Sequence, residues 1–111
     1  MLLKKVIVLL LSLSLSLSVL AGVQDDRKAL IQKLIGAEVF QKVEVPGFLP
    51  HLWVSHAFYG LSFDSKNSFV NVVYSYYYTQ NPDFDLIVLY DSRSGKKIGT
   101  FSATYGGLDL H

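Results

Sequence analysis

The segment Phe84–Ser102, FDLIVLYDSRSGKKIGTFS, commits part of this chain to a sheet. Phe84 to Tyr90 is a dense run of aromatic, β-branched and aliphatic residues. Asp85 is its one polar member and is expected on a solvated face. Asp91–Gly95 carries turn chemistry: an aspartate that can accept from backbone N–H groups ahead of it, and a glycine free to take a left-handed conformation. Lys96–Ser102 then returns. The spacing predicts an antiparallel hairpin with strands at 84–91 and 96–102.

A lone hairpin is marginal in water, so the rest of the chain must extend and cover it. VFQKVEV, residues 39–45, alternates Val39, Gln41, Val43 and Val45 against Phe40, Lys42 and Glu44. It reads as an edge strand closed by Pro46-Gly47. Residues 25–35 place Ala29, Leu30, Ile31, Leu34 and Ile35 at helical spacing, with Asp25 or Asp26 as cap and Gly36 as terminator. FLPHLWVSHAFYGLSF, from Phe48, has a ragged apolar face and reads as a helical turn or irregular buried segment. The tail TYGGLDLH can add a last short strand through Leu108 and Leu110.

Residues 65–78 admit two readings. As a helix capped by Asp64, they gather Phe69, Val72, Val73, Tyr76 and Tyr77 on one face and leave Asn71 and Ser75 on the other. As a strand over 69–78, they line up Val70, Val72, Tyr74, Tyr76 and Tyr78. Valine and tyrosine prefer sheets, but the cap and the polar placement favour the helix. The expected fold is therefore α+β, two or three helices packed on a small antiparallel sheet. The alternative is mostly β, with 69–78 as a further strand.

The first 22 residues stand apart. Lys4 and Lys5 precede an apolar run, Val6 to Leu20, that is broken by serines at alternate positions and followed by Ala21-Gly22. This is the layout of a secretory signal peptide, so residues 1–22 are expected to be removed, leaving one small domain, 23–111. Retention as an anchor is the alternative; the run Val6–Val23 is at the short end for spanning a bilayer, and Asp25-Asp26 follows it rather than basic residues. Leu20–Val23 resembles a bacterial lipoprotein signal, but Val23 holds the position of the lipid-bearing cysteine and has no thiol.

The chain has no cysteine, so disulfides, thiolate chemistry and cysteine zinc sites are excluded. An exported domain this small must then rely on packing, and its 14% aromatic content suits that need. Formal net charge is +1, two of the positive charges being Lys4 and Lys5. A near-neutral domain with only the pair Lys96-Lys97 as a basic cluster gives no footprint for nucleic acid.

Catalytic patterns are weak. His51 and His56 are five apart, a spacing that does not share one helix face, and no metal or cofactor is expected. Asp83, Asp85 and Asp91 do not follow a calcium loop. SRSGKK leads into a strand, where a phosphate loop leads into a helix. Ser62, Ser65 and Ser68 lack a nucleophile-elbow context. The strongest candidates are aromatic. Four tyrosines fall between Tyr74 and Tyr78 and cannot all face inward from a helix; Tyr74 and Tyr78, four apart, would line one edge. Exposed tyrosines suit recognition surfaces, and Trp53 adds a third anchor. The expectation is an exported, periplasmic or secreted, non-catalytic binding domain whose partner is another protein at the envelope or outside the cell. Two alternatives stand beside it: a small exported hydrolase or metal-dependent enzyme using His51 or His56, and a membrane-anchored accessory subunit if the leader is retained.

Overall fold

The computed structural model describes residues 2–111, with side chains described from Val19 onward. Eight elements follow in order: α1 (Leu2–Gly36), β1 (Phe40–Glu44), β2 (His51–Val54), α2 (His56–Tyr59), α3 (Phe63–Gln80), β3 (Ile87–Asp91), β4 (Lys97–Ser102) and β5 (Gly107–Leu110). The strands form one sheet in the order β1-β2-β3-β4-β5. The fold is α+β. The sheet, expected to be antiparallel, is mixed: β2 and β3 run parallel, and the other three pairs are antiparallel. A parallel pair needs a crossover, and here α2 and α3 supply it.

The hairpin forms as its composition dictates. Asp91 N–H donates to the Lys96 carbonyl, and Gly95 N–H donates to the Asp91 carbonyl, each at 2.8 Å. One Asp91 carboxylate oxygen accepts from Ser94 N–H at 2.8 Å, and Gly95 takes φ +73°. Asp85 lies before the strand rather than in it, because β3 begins at Ile87. The segment expected to be a helical turn contains strand β2, His51–Val54, followed by the single turn α2. The tail adds β5. Gly99 admits it closely: a Cβ there would stand 2.3 Å from the Asp109 carbonyl oxygen.

Residues 65–78 are helical, within α3, so the reading of 69–78 as a strand is overturned. The cap is Ser62 rather than Asp64: its hydroxyl accepts from Ser65 N–H at 3.2 Å. The inward face is Val70, Val73 and Tyr74. Tyr74 is 6% exposed, a correction to its expected place on the helix edge. Val72, Tyr76 and Tyr77 are half-buried and pack toward the core from the side that meets α1.

Helix α1 continues through Asp25 and Asp26 without a cap, so neither starts a helix. The part that belongs to the domain is fastened by Gln24, whose side-chain amide donates to the Tyr76 carbonyl at 3.0 Å, and by Arg27, which donates to Thr79 Oγ1 at 3.1 Å. Its end is a Schellman turn. Val39 N–H donates to the Leu34 carbonyl at 3.0 Å, Glu38 N–H donates to the Ile35 carbonyl at 3.1 Å, and Glu38 takes φ 61°. Glycine usually holds that left-handed position; a glutamate there costs about 1 kcal/mol. The expected terminator, Gly36, is still inside the helix.

The core lies between the helices and one face of the sheet. Ile31, Leu34, Phe58, Val70, Val73 and Tyr74 come down from the helices; Phe40, Leu52, Val54, Ile87, Leu89, Phe101 and Leu108 rise from the strands. The strands mostly contribute alternate residues, so all three helices cover the same face and the other is left open. The leader's side chains before Val19 lie outside the described residues. Among the described residues no helix is long and apolar enough to cross a membrane.

Candidate functional site

The open face of the sheet is built by register. Lys42 on β1 pairs with Trp53 on β2, Trp53 with Tyr90 on β3, and Tyr90 with Lys97 on β4. Register places these four residues in a row across the sheet, with irregularities between Phe40 and Lys42 and at the Tyr90–Lys97 pair resetting the strand alternation there. Behind it runs a second row: Glu44, His51, Val88, Thr100 and Asp109. Two rings are bracketed by lysines in the first row. A histidine and a buried valine are bracketed by acids in the second.

The rings are packed on one another. Trp53 and Tyr90 stack at 5.3 Å between centroids with planes 22° apart. His51 lies tilted at 5.0 Å from Tyr90 and 5.8 Å from Trp53. The Lys42 ammonium sits 4.5 Å over the Trp53 ring and 3.2 Å from a Glu44 carboxylate oxygen. An exposed cation on an indole face contributes about 0.5–1 kcal/mol. The more important effect is order: each ring is held by its neighbours, so little side-chain freedom remains to be lost on binding. Trp53, His51 and Tyr90 are all half-exposed. Trp53 and His51 are both candidates from the sequence and lie two apart on one face of β2; Tyr90 joins them through the parallel β2–β3 pairing.

Tyr74 and Tyr78 do stack, at 5.4 Å and 15°, but they do not form an exposed pair. Tyr74 donates its hydroxyl proton to Asp85 Oδ1 at 2.6 Å and packs on Phe101 at 5.2 Å. Burial, and then the Asp85 carboxylate, push the Tyr74 phenol up to about 12. Asp85 also accepts from Thr104 Oγ1 at 3.2 Å. Tyr74 is thus a core residue with a polar pin, while Tyr78 remains exposed.

The histidines are not brought together. His51 opens β2 and points to the open face; His56 follows the far end of the strand, in α2. His56 borders an open cleft of about 410 Å³ with Ser55, Tyr59, Asp91, Ser92 and Arg93. Its Nε2 lies 3.2 Å from Glu38 Oε2. Tyr59 donates to Asp91 Oδ1 at 2.8 Å. Burial, then that hydrogen bond, push the Tyr59 phenol up to about 12. Hydrogen bonds from Ser94, then Tyr59, hold the Asp91 carboxyl below the usual range. Both Asp91 oxygens are occupied by the hairpin and Tyr59, and the described hydrogen bonds join no serine to His56. Among the described residues no group of three His, Asp or Glu side chains can hold a metal ion.

Fold and surface together define a two-layer α+β domain with helices on one side and an aromatic sheet face on the other. In comparisons with known proteins, no family model matches the chain, no curated protein matches it and no solved structure matches it. Function must therefore be argued from these side chains.

Proposed function

We propose that this protein is an exported, non-catalytic binding module that recognises a protein partner at the cell envelope or outside the cell through its open sheet face. The observation that carries this reading is the row Lys42–Trp53–Tyr90–Lys97. It offers two ordered aromatic anchors, the kind of residue that dominates binding energy at protein interfaces, on a face no helix covers. Export rests on the leader: two lysines, a serine-broken apolar run and small residues at Ala21-Gly22. Cleavage there would place Asp25 and Asp26 in the first turn of the remaining helix, where their charge suits the dipole.

The test is site-specific photo-crosslinking in exporting cells. A crosslinker at position 90 should trap one discrete species, and Trp53→Ala should abolish it. A crosslinker at Gln32, exposed on the helix side, should trap none. No adduct from position 90, or equal adducts from both, would sink the reading. Intact mass of the exported protein checks cleavage: a product that still carries Met1–Leu20 argues for an anchored accessory subunit.

One observation favours a second reading, a small exported hydrolase. His56 lines the cleft beside Glu38 and Asp91. Hydrolysis of an ester substrate that is lost in His56→Ala would support it, while partner capture by the sheet face would be unchanged in that variant.

A further inference from the structure

The connections sort onto two ends of the sheet. Register puts the β1–β2, α3–β3 and β4–β5 connections at one end, and the α1–β1 and β3–β4 connections with α2 at the other. Ten large apolar side chains are exposed among the described residues. Seven gather at the first end: Val19, Leu20 and Val23 of α1, Val45 and Phe48 of the β1–β2 connection, Tyr78 near the end of α3, and Tyr105 of the β4–β5 turn. Phe48 is 92% exposed and Tyr105 83%. Single exposed apolar residues are ordinary, but seven of ten on one end make that end markedly apolar.

The leader departs from the same end. Leu34 and Val39 are level, joined by the Schellman hydrogen bond at 3.0 Å. From there α1, traced backwards, and β1, traced forwards, climb together. Leu34 to Leu20 rises about 21 Å at helical pitch, and Val39 to Val45 about 20 Å at strand pitch. Val19 and Leu20 therefore rise to about the same height as the connection that carries Phe48. Beyond them the sequence continues into the apolar run Val6–Ser18.

We infer that this end of the domain lies against a lipid bilayer surface, with Phe48 and Tyr105 seated at the interface. Aromatic side chains favour that zone, being apolar in body and, for tyrosine, polar at the tip. The charges set the kind of lipid. Residues 45–50, 81–86 and 103–106 contain no lysine or arginine, and Asp25, Asp26 and Asp83 add negative charge. Arg27 is already engaged by Gln24, at 2.8 Å, and by Thr79. Attraction to anionic headgroups is thus not the driving force; apolar burial into a zwitterionic surface is. This orientation turns the Lys42–Trp53–Tyr90–Lys97 row sideways to the membrane, free for a partner.

Trp53 is the only tryptophan, so the wild-type chain carries its own control. The full chain and its Phe48→Trp and Tyr105→Trp variants are reconstituted with phosphatidylcholine vesicles whose acyl chains are brominated. Each added tryptophan should shift its emission to the blue and be quenched by the bromolipid, while Trp53 should not. Raising the salt should change neither. Three results would overturn the inference. The added tryptophans stay unquenched; or Trp53 is quenched as strongly, which puts the sheet face on the lipid; or the blue shift appears without vesicles and grows with protein concentration, which assigns the patch to a second copy of the chain. The inference rests on the proposed export. Val19 and Leu20 leave with the leader, but the cleaved product keeps Val23, Val45, Phe48, Tyr78 and Tyr105 at this end, so the same quenching is read on the exported product as well. The two readings fail separately. A protein that stays in the cytoplasm defeats export, whereas quenching reads the orientation directly.

Discussion

Two tyrosine–aspartate pairs tie down the two ends of β3. Asp85, just before the strand, accepts from Tyr74 of α3; Asp91, its last residue, accepts from Tyr59 of α2. Both phenols are raised to about 12, by burial first and by the aspartate second. The surroundings differ. Tyr74 is buried between Tyr78 and Phe101, whereas Tyr59 is about half exposed on the wall of the cleft. A hydrogen bond of one chemistry thus serves as a core pin at one end and a surface latch at the other. Its worth is set by what surrounds it, since water can replace the latch but not the pin.

The largest test of that contrast is truncation. Tyr74→Ala should lose about 3–5 kcal/mol in urea unfolding, the usual range for deleting a core ring. Tyr59→Ala should lose about 1 kcal/mol. Equal losses would break the comparison. Alkaline pH sharpens it. A phenol that ionises near 10 when unfolded and near 12 when folded contributes full stability below pH 10. That contribution is lost as pH rises through 12. Stability should therefore fall across this window. Tyr74→Phe should flatten the fall measured between pH 9.5 and 12; Tyr59→Phe should flatten it less, because solvent screens the exposed pair. The smallest effect belongs to the hairpin turn that Asp91 organises. Gly95→Val forces a β-branched residue to positive φ and should cost about 1 kcal/mol, read as a lowered melting temperature.

What the sequence made legible was local. The 84–102 hairpin announces itself because turn chemistry and both strands lie within one short stretch. Helix α3 was legible for the same reason, but its phase was not. Phe69, Val72, Val73, Tyr76 and Tyr77 form a face at helical spacing, and so do Val70, Val73 and Tyr74. When eight of the ten residues from 69 to 78 are apolar, periodicity cannot choose between faces one residue apart. The structure uses both, one toward the sheet and one toward α1. Strand β2 was hidden because HLWV is four residues long and its parallel partner lies beyond α3. With it went the site: Trp53 could be chosen as an aromatic, but nothing local connects it to Tyr90. Asp85 misled for a related reason, since its partner Tyr74 is in another element.

The parallel joint between β2 and β3 also bears on the order in which the molecule assembles. The sheet is two antiparallel ribbons, β1–β2 and β3–β4–β5, each closed by short turns that can form early. Their union must wait for the long 55–86 crossover to close, which is the slow, high-contact-order step. The Trp53–Tyr90 stack straddles that seam. Neither ribbon alone displays the paired rings, so a half-folded chain presents only a fragment of that surface. Under the proposed function, completion of the fold and readiness to bind are one event.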